Sequence, residues 1–201
     1  MGALLRGWAW SALAIGLVFG AAVLWPAPHE LIDWQPSLWA REPWRAFSAV
    51  FVHYSALHLA ANCAGGLLVS ALGHAAGVPP RATLAWLAAW PLTQLGLLLQ
   101  PELLHYGGLS GVLHAGVAVV AVHLLIAGSS SQRRVASIML VVLVAKVLHE
   151  APWQGALQHR EGWDIAIAPL AHATGALSGA ICATIAELLH RRATHAPTIG
   201  R

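Results

Sequence analysis

The sequence predicts an all-α, polytopic membrane protein, and three observations carry that expectation. Hydrophobic residues fill 58% of the 201 positions while Asp, Glu, Lys and Arg make up 9%, against roughly 25% charged in an average soluble domain. Apolar stretches close to or above the ~20 residues of a helical bilayer span recur at about 8–25, 47–72, 82–100, 108–127, 134–151 and 164–189. The segments between them are short and rich in turn residues, so no soluble domain fits among them and residues 1–201 read as one domain of six helices.

The first run follows Arg6 and has the look of a signal peptide, but it is longer than a usual h-region. It ends in Trp25-Pro-Ala-Pro28 without a small-residue cleavage site, so it is expected to persist as a helix. Pro26, Pro28, Pro36 and Pro43 punctuate the next loop, Gly77-Val-Pro-Pro80 divides the second and third runs, and Gly128-Ser-Ser-Ser131 divides the fourth and fifth. The sixth run leads into a short tail, 190–201.

With the N-terminus in the cytoplasm, Arg6, Arg81, Arg133, Arg134, Arg191, Arg192 and Arg201 share one side, and Arg41, Arg45 and Arg160 lie with seven carboxylates on the other. That asymmetry satisfies the positive-inside rule and puts both termini in the cytoplasm. The net charge of +3 then reflects topology and gives no reason to expect nucleic acid as a partner. Trp25, Trp34, Trp39, Trp44, Trp153 and Trp163 all fall toward the outer face, where an interfacial collar is expected. Cys63 and Cys182 lie within spans, lack metal-ligand spacing and read as buried small residues. No HExxH is present, which argues against a zinc protease.

Polar side chains inside the spans need partners or a task. Ser110 lies in Gly107-Gly-Leu-Ser-Gly111 at the start of the fourth run. There the free N–H groups and positive end of a helix favour negative charge, and the serine reads either as a nucleophile or as a helix cap. His172 precedes Gly175 and Gly179, and the small-xxx-small face lets another helix approach closely with the imidazole on the same side. It is the preferred base, with hydrogen-bonded packing as its alternative. His58 and Asn62 are one turn apart on the second run and suggest an anion site or polar glue between helices. His114, four residues after Ser110, leans back toward it and reads as an orienting or packing residue, or a competing base. His53 reads as structural. Lys146 and Glu150 are spaced to pair on one face of the fifth run, shaping a gate or stabilising the helix.

These fragments resemble the rhomboid family of intramembrane serine proteases. Trp44-Arg45 looks like its WR loop motif, and Phe51-Val-His-Tyr-Ser-Ala-Leu-His-Leu-Ala-Ala-Asn62 like its HxxxxHxxxN helix. Gly108-Leu-Ser-Gly111 looks like its GxSG, and Ala171-His-Ala-Thr-Gly-Ala-Leu-Ser-Gly179 like its AHxxGxxxG. The resemblance runs from about residue 44 to 189 and implies a six-helix rhomboid-like bundle. It implies a Ser110–His172 dyad without an acid, and an oxyanion hole of His58, Asn62 and the Ser110 N–H. Gly108, Gly111, Gly175 and Gly179 would support that site, Trp44 and Arg45 would belong to a structural loop, and the fifth helix with the loop after it would gate substrate access. No metal or cofactor is implied.

Many rhomboids carry an aromatic residue where this chain has His114. That departure, the compact size, the lack of an extra domain and Lys146-Val-Leu-His-Glu150 look like the rhombosortase branch. The branch implies a bacterial inner-membrane enzyme opening to the periplasmic side, which trims single-pass membrane proteins bearing a C-terminal Gly-Gly motif, a transmembrane helix and a basic tail. A partner membrane protein is left open. Rival readings are a generic rhomboid protease, a non-catalytic client-binding relative, and a haem or quinone carrier using His58, His114 and His172.

Overall fold

The computed structural model describes residues 7–195. Within them the chain is a bundle of long helices: α1 (Trp8–Leu24), α4 (Ala56–Ala75), α5 (Pro80–Leu95), α6 (Ser110–Ala127), α7 (Ser130–His149) and α8 (Pro169–His195). Two short helices, α2 (His29–Ile32) and α3 (Arg45–Ser48), lie in the loop after α1. The extended pairings among the described residues are isolated bridges, Trp34 with Tyr106 and Gln158 with Ile167. Four segments, Ala56–Ala75, Pro80–Leu99, Ser110–Ala127 and Pro169–Thr194, are long and apolar enough to cross a membrane, and α1 is a shorter apolar helix. The chain is a helical, polytopic membrane bundle.

Several boundaries differ from the apolar runs, each for a local reason. The second run was expected from residue 47, but residues 45–51 form short helical turns and Val52 to Ser55 leave the helix. The long helix begins only after Ser55, whose hydroxyl accepts the His58 N–H as an N-cap. The fifth begins before the expected residue 134, because Ser129 and Gln132 form a capping box that takes Arg133 and Arg134 into the helix. The sixth starts at Pro169 rather than near 164 and runs through His195, so the first residues of the expected tail are helical. The rest of that tail, 196–201, lies outside the described residues.

Helix α6 is the axis of the bundle, buried around nearly its whole circumference. Its tightest neighbour is α8. A Cβ on Gly175 would lie 2.0 Å from the Gly111 carbonyl oxygen, and one on Gly179 would lie 2.3 Å from that of Ala115. Glycine is required at both positions because the two backbones touch there. On another side Trp10 of α1 stacks on Trp86 of α5 with ring centroids 4.3 Å apart. Each indole donates to a helix carbonyl, Trp10 to Val69 and Trp86 to Val112, at 2.8 and 2.7 Å. The Trp10 ring fills the space that Gly73 leaves open. At this same end the buried Glu187 of α8 receives both Nε and Nη2 of Arg81 at 3.0 and 3.2 Å, and His123 of α6 at 2.7 Å.

The opposite end is closed by the loop between α1 and α4. Trp34, expected in an interfacial collar, is fully buried there with Ala49, Leu97, Leu103 and Tyr106. Trp39, Trp44, Trp153 and Trp163 are exposed. Cys63 and Cys182 are free thiols and only partly buried.

Gly175→Ala should lower the unfolding midpoint in detergent by the equivalent of about 1–3 kcal/mol, the usual cost of overpacking. An unchanged midpoint would show that α6 and α8 do not meet backbone to backbone.

Candidate active site

The sequence places Ser110, His172, His58 and Asn62 on three different helices, and the fold brings them to one cavity. Ser110 is the first residue of α6 and half-buried. The approach to it is fixed by Gly108, whose φ of +139° strains any residue with a Cβ. Such a Cβ would also fall 2.9 Å from His58 Nε2 and 3.9 Å from Asn62 Nδ2. The Gly108 N–H donates to the Ala49 carbonyl at 2.9 Å, tying this turn to the loop ahead of α4.

From α8, His172 Nε2 lies 2.9 Å from Ser110 Oγ, within the 2.6–3.2 Å reach that a general base needs. Its other nitrogen, Nδ1, lies 2.6 Å from Glu150 Oε2 at the end of α7. Lys146 Nζ donates to the second oxygen of that carboxylate, also at 2.6 Å. The i,i+4 pair read from the sequence therefore forms, but it faces the imidazole as well. Nothing in linear spacing pointed to that contact; the only signal was a carboxylate at the end of an apolar run.

His114 packs face to face on His172, with centroids 4.2 Å apart and planes 12° from parallel. Its Nδ1–H donates to the Ser110 carbonyl at 2.7 Å. The stacked imidazoles leave no room for a haem plane between them. Among the described residues no group of three or more His, Cys, Asp or Glu side chains is arranged to hold a metal ion.

His58 and Asn62 lie on the same face of α4, as their spacing requires, and both are buried. His58 Nδ1 and Asn62 Nδ2 have no hydrogen-bond partner among the described residues. An unmatched buried amide donor is costly unless it serves something that arrives later. His53 is fully buried behind them, its Nδ1–H donating to the Phe51 carbonyl at 3.2 Å and its ring 4.8 Å from that of His58. Tyr106, absent from the sequence reading, backs the serine turn. Burial pushes its phenol up to about 12, so the hydroxyl remains a donor, toward the Gly108 carbonyl at 3.3 Å.

These groups open into a cavity of about 560 Å³. Its loop end is polar, with Ser110, His172, Lys146 and Glu150, and its walls run along Leu68, Leu113, Val117, Met139 and Leu143 of α4, α6 and α7. Across the mouth, Ser55 donates to Asp164 at 2.7 Å.

Trp44 is exposed, whereas Arg45 is buried at the centre of the α1–α4 loop. Its guanidinium donates to Glu42 Oε2 at 2.5 Å, Asp33 Oδ1 at 3.3 Å, and the carbonyls of Glu30 and Asp33 at 3.0 and 2.9 Å. Asp33 also receives His105 Nδ1 at 2.7 Å, which joins this loop to the segment leading into the serine turn.

The arrangement defines a class: a helical membrane bundle that carries a serine–imidazole pair beside an unmatched buried amide in a largely apolar cavity. The family model of the Rhomboid domain matches residues 40–188, and the chain belongs to the rhomboid family, whose members are intramembrane serine proteases acting on membrane proteins. No curated protein matches the chain.

Removing one partner of a buried ion pair costs about 3–5 kcal/mol. Arg45→Met should therefore loosen the loop from 25 to 55 and make it susceptible to limited proteolysis. Equal protease resistance in the variant and the wild type would show that the arginine is dispensable to the loop.

Proposed function

We propose that the protein is an intramembrane serine endopeptidase in which Ser110 is the nucleophile and His172 the general base. The observation that carries this reading is the 2.9 Å approach of Ser110 Oγ to His172 Nε2 at the polar end of the cavity. In the reaction, His172 Nε2 takes the hydroxyl proton as Oγ attacks the scissile carbonyl, and later gives that proton to the leaving amine. Water, or another amine in its place, then releases the acyl group from Ser110. His58 and Asn62 steady the oxyanion with the Ser110 N–H, a role supported by the unmatched Asn62 amide beside the serine turn.

The substrates of this reading are single-pass membrane proteins, and the branch resemblance narrows them to those with a C-terminal Gly-Gly motif, a transmembrane helix and a basic tail. The cavity walls suit that class, since apolar side chains of α4, α6 and α7 flank the site for an entering helix. The same reading sets the protein in a bacterial inner membrane, with the termini cytoplasmic and the site opening outward.

The test is cleavage of a Gly-Gly transmembrane reporter in membranes by the wild type and by Ser110→Ala. Cleavage by the wild type alone is expected. Equal cleavage by both would overturn the mechanism. If neither cuts, a generic rhomboid substrate with a fluorophosphonate probe comes next, and failure to label Ser110 would favour a client-binding protein. Asn62→Ala should raise the barrier by about 2.7–4 kcal/mol, as loss of an oxyanion donor does. A kcat unchanged in that variant would remove Asn62 from the site.

A further inference from the structure

Glu150 stands in a poor place for a residue that merely stabilises its helix. It follows the last residue of α7, where the negative end of the helix dipole disfavours an anion. The Lys146–Glu150 pair also runs in the weaker order, since an acid four residues before a base supports a helix better than the reverse. Yet the chain fixes this carboxylate with care. Ala151 adopts a left-handed φ of +49°, and Pro152 follows it, so α7 stops immediately after Glu150. Arg160 Nη2 donates to the Glu150 carbonyl at 2.9 Å, while Gln100 Nε2 holds the carbonyls of Pro152 and Gly155 at 3.0 and 3.2 Å. One carboxylate oxygen is then taken by Lys146 and the other by His172.

We propose that Glu150 is the third member of the site, a positioning residue whose carboxylate fixes the orientation and tautomer of His172, with Lys146 fixing the carboxylate in turn. The inference rests on the reading of Ser110 and His172 as a proteolytic pair. A carboxylate only accepts, so His172 Nδ1 carries the proton and Nε2 presents its lone pair to Ser110 Oγ. When the serine proton moves to Nε2, the imidazolium forms beside an anion already in place. The proton stays on the imidazole, and Glu150 is never protonated. Lys146 balances the carboxylate in the resting state, so no unpaired charge lies at the cavity wall. The site is then a Ser–His–Glu arrangement with a lysine behind it, in place of the expected dyad.

The experiment uses the full-length protein in liposomes with a transmembrane reporter, comparing the wild type, Ser110→Ala, Glu150→Gln, Lys146→Met and the Lys146→Met/Glu150→Gln double variant. Glu150→Gln should lower kcat by between about tenfold and about 10⁴-fold, the larger figure being the effect of losing the acid from a three-residue serine-protease site. KM and the unfolding midpoint should hold. The double variant should stay as impaired as Glu150→Gln, because the function lost is toward His172 and not toward Lys146. Wild-type kcat in Glu150→Gln, or its recovery in the double variant, would overturn the proposal. A readout free of turnover is the downfield proton resonance of the His172 Nδ1–H, told apart from those of His105 and His123, which also meet carboxylates, by its loss in His172→Ala. It should be present in the wild type and Ser110→Ala, and lost in Glu150→Gln and His172→Ala. Its absence from the wild type would overturn the proposal even if Glu150→Gln failed to fold. Wild-type activity no greater than that of Ser110→Ala on both the Gly-Gly reporter and a generic rhomboid substrate, with no fluorophosphonate labelling of Ser110, would instead sink the protease reading, and the assignment of Glu150 with it.

Discussion

The contact between the backbones of α6 and α8 is the constraint on which the rest of the site depends. Ser110 rides on one helix and His172 on the other, so their separation is set by how closely the two axes approach. At Gly111, Gly175 and Gly179 that approach is limited by main-chain atoms alone. Side chains can change rotamer to absorb a misfit, but a carbonyl against a Cα cannot. The serine and imidazole are thus held in register by the stiffest kind of contact a helix pair can make.

Around this spine the polar groups are satisfied in clusters. Arg81, His123 and Glu187 bind α5, α6 and α8 at one end, and Asp33, Arg45 and His105 bind the loops at the other. A buried charge without a partner would be prohibitive in so apolar a surrounding, and each of these has hydrogen-bonded partners. Uncharged polar groups are less completely paired. What distinguishes the Asn62 amide among the unmatched buried side-chain atoms, which include those of Thr83, Trp90 and Gln94, is its place beside the serine turn.

Much of this was legible in the sequence, and the rest was hidden for physical reasons. Hydropathy reveals a bundle because lipid demands long apolar helices, and Gly175 with Gly179 reveals a close helix neighbour because only glycine leaves room for one. Hydropathy does not mark where a helix starts. Residues 47–54 are apolar enough to extend α4, yet the cap at Ser55 decides the boundary. Nor does a tryptophan near a loop announce whether it faces lipid or core, and Trp34 turned inward to pair its backbone with Tyr106. The contact of Glu150 with His172 joins residues 22 positions apart across two helices, and spacing rules speak only for neighbours on the same helix. An alanine in a left-handed conformation is invisible in sequence, since glycine or asparagine is the residue expected there.

That alanine makes α7 a ruler fixed at both ends. The capping box at Ser129 and Gln132 sets its start, and the turn at Ala151 sets its stop. At 3.6 residues per turn, one residue inserted or removed between them would swing Glu150 by ~100° about the helix axis, away from α8 and toward lipid or the neighbouring helix. The segment from 152 to 160 is tied to the end of α7 and to Gln100, whereas a residue added just after Arg160 leaves the end of α7 where it was. Length variation in this region of the chain is therefore tolerable just after Arg160 and ruinous in the helix, although residues 163 and 165 to 168, which follow that point, line the cavity.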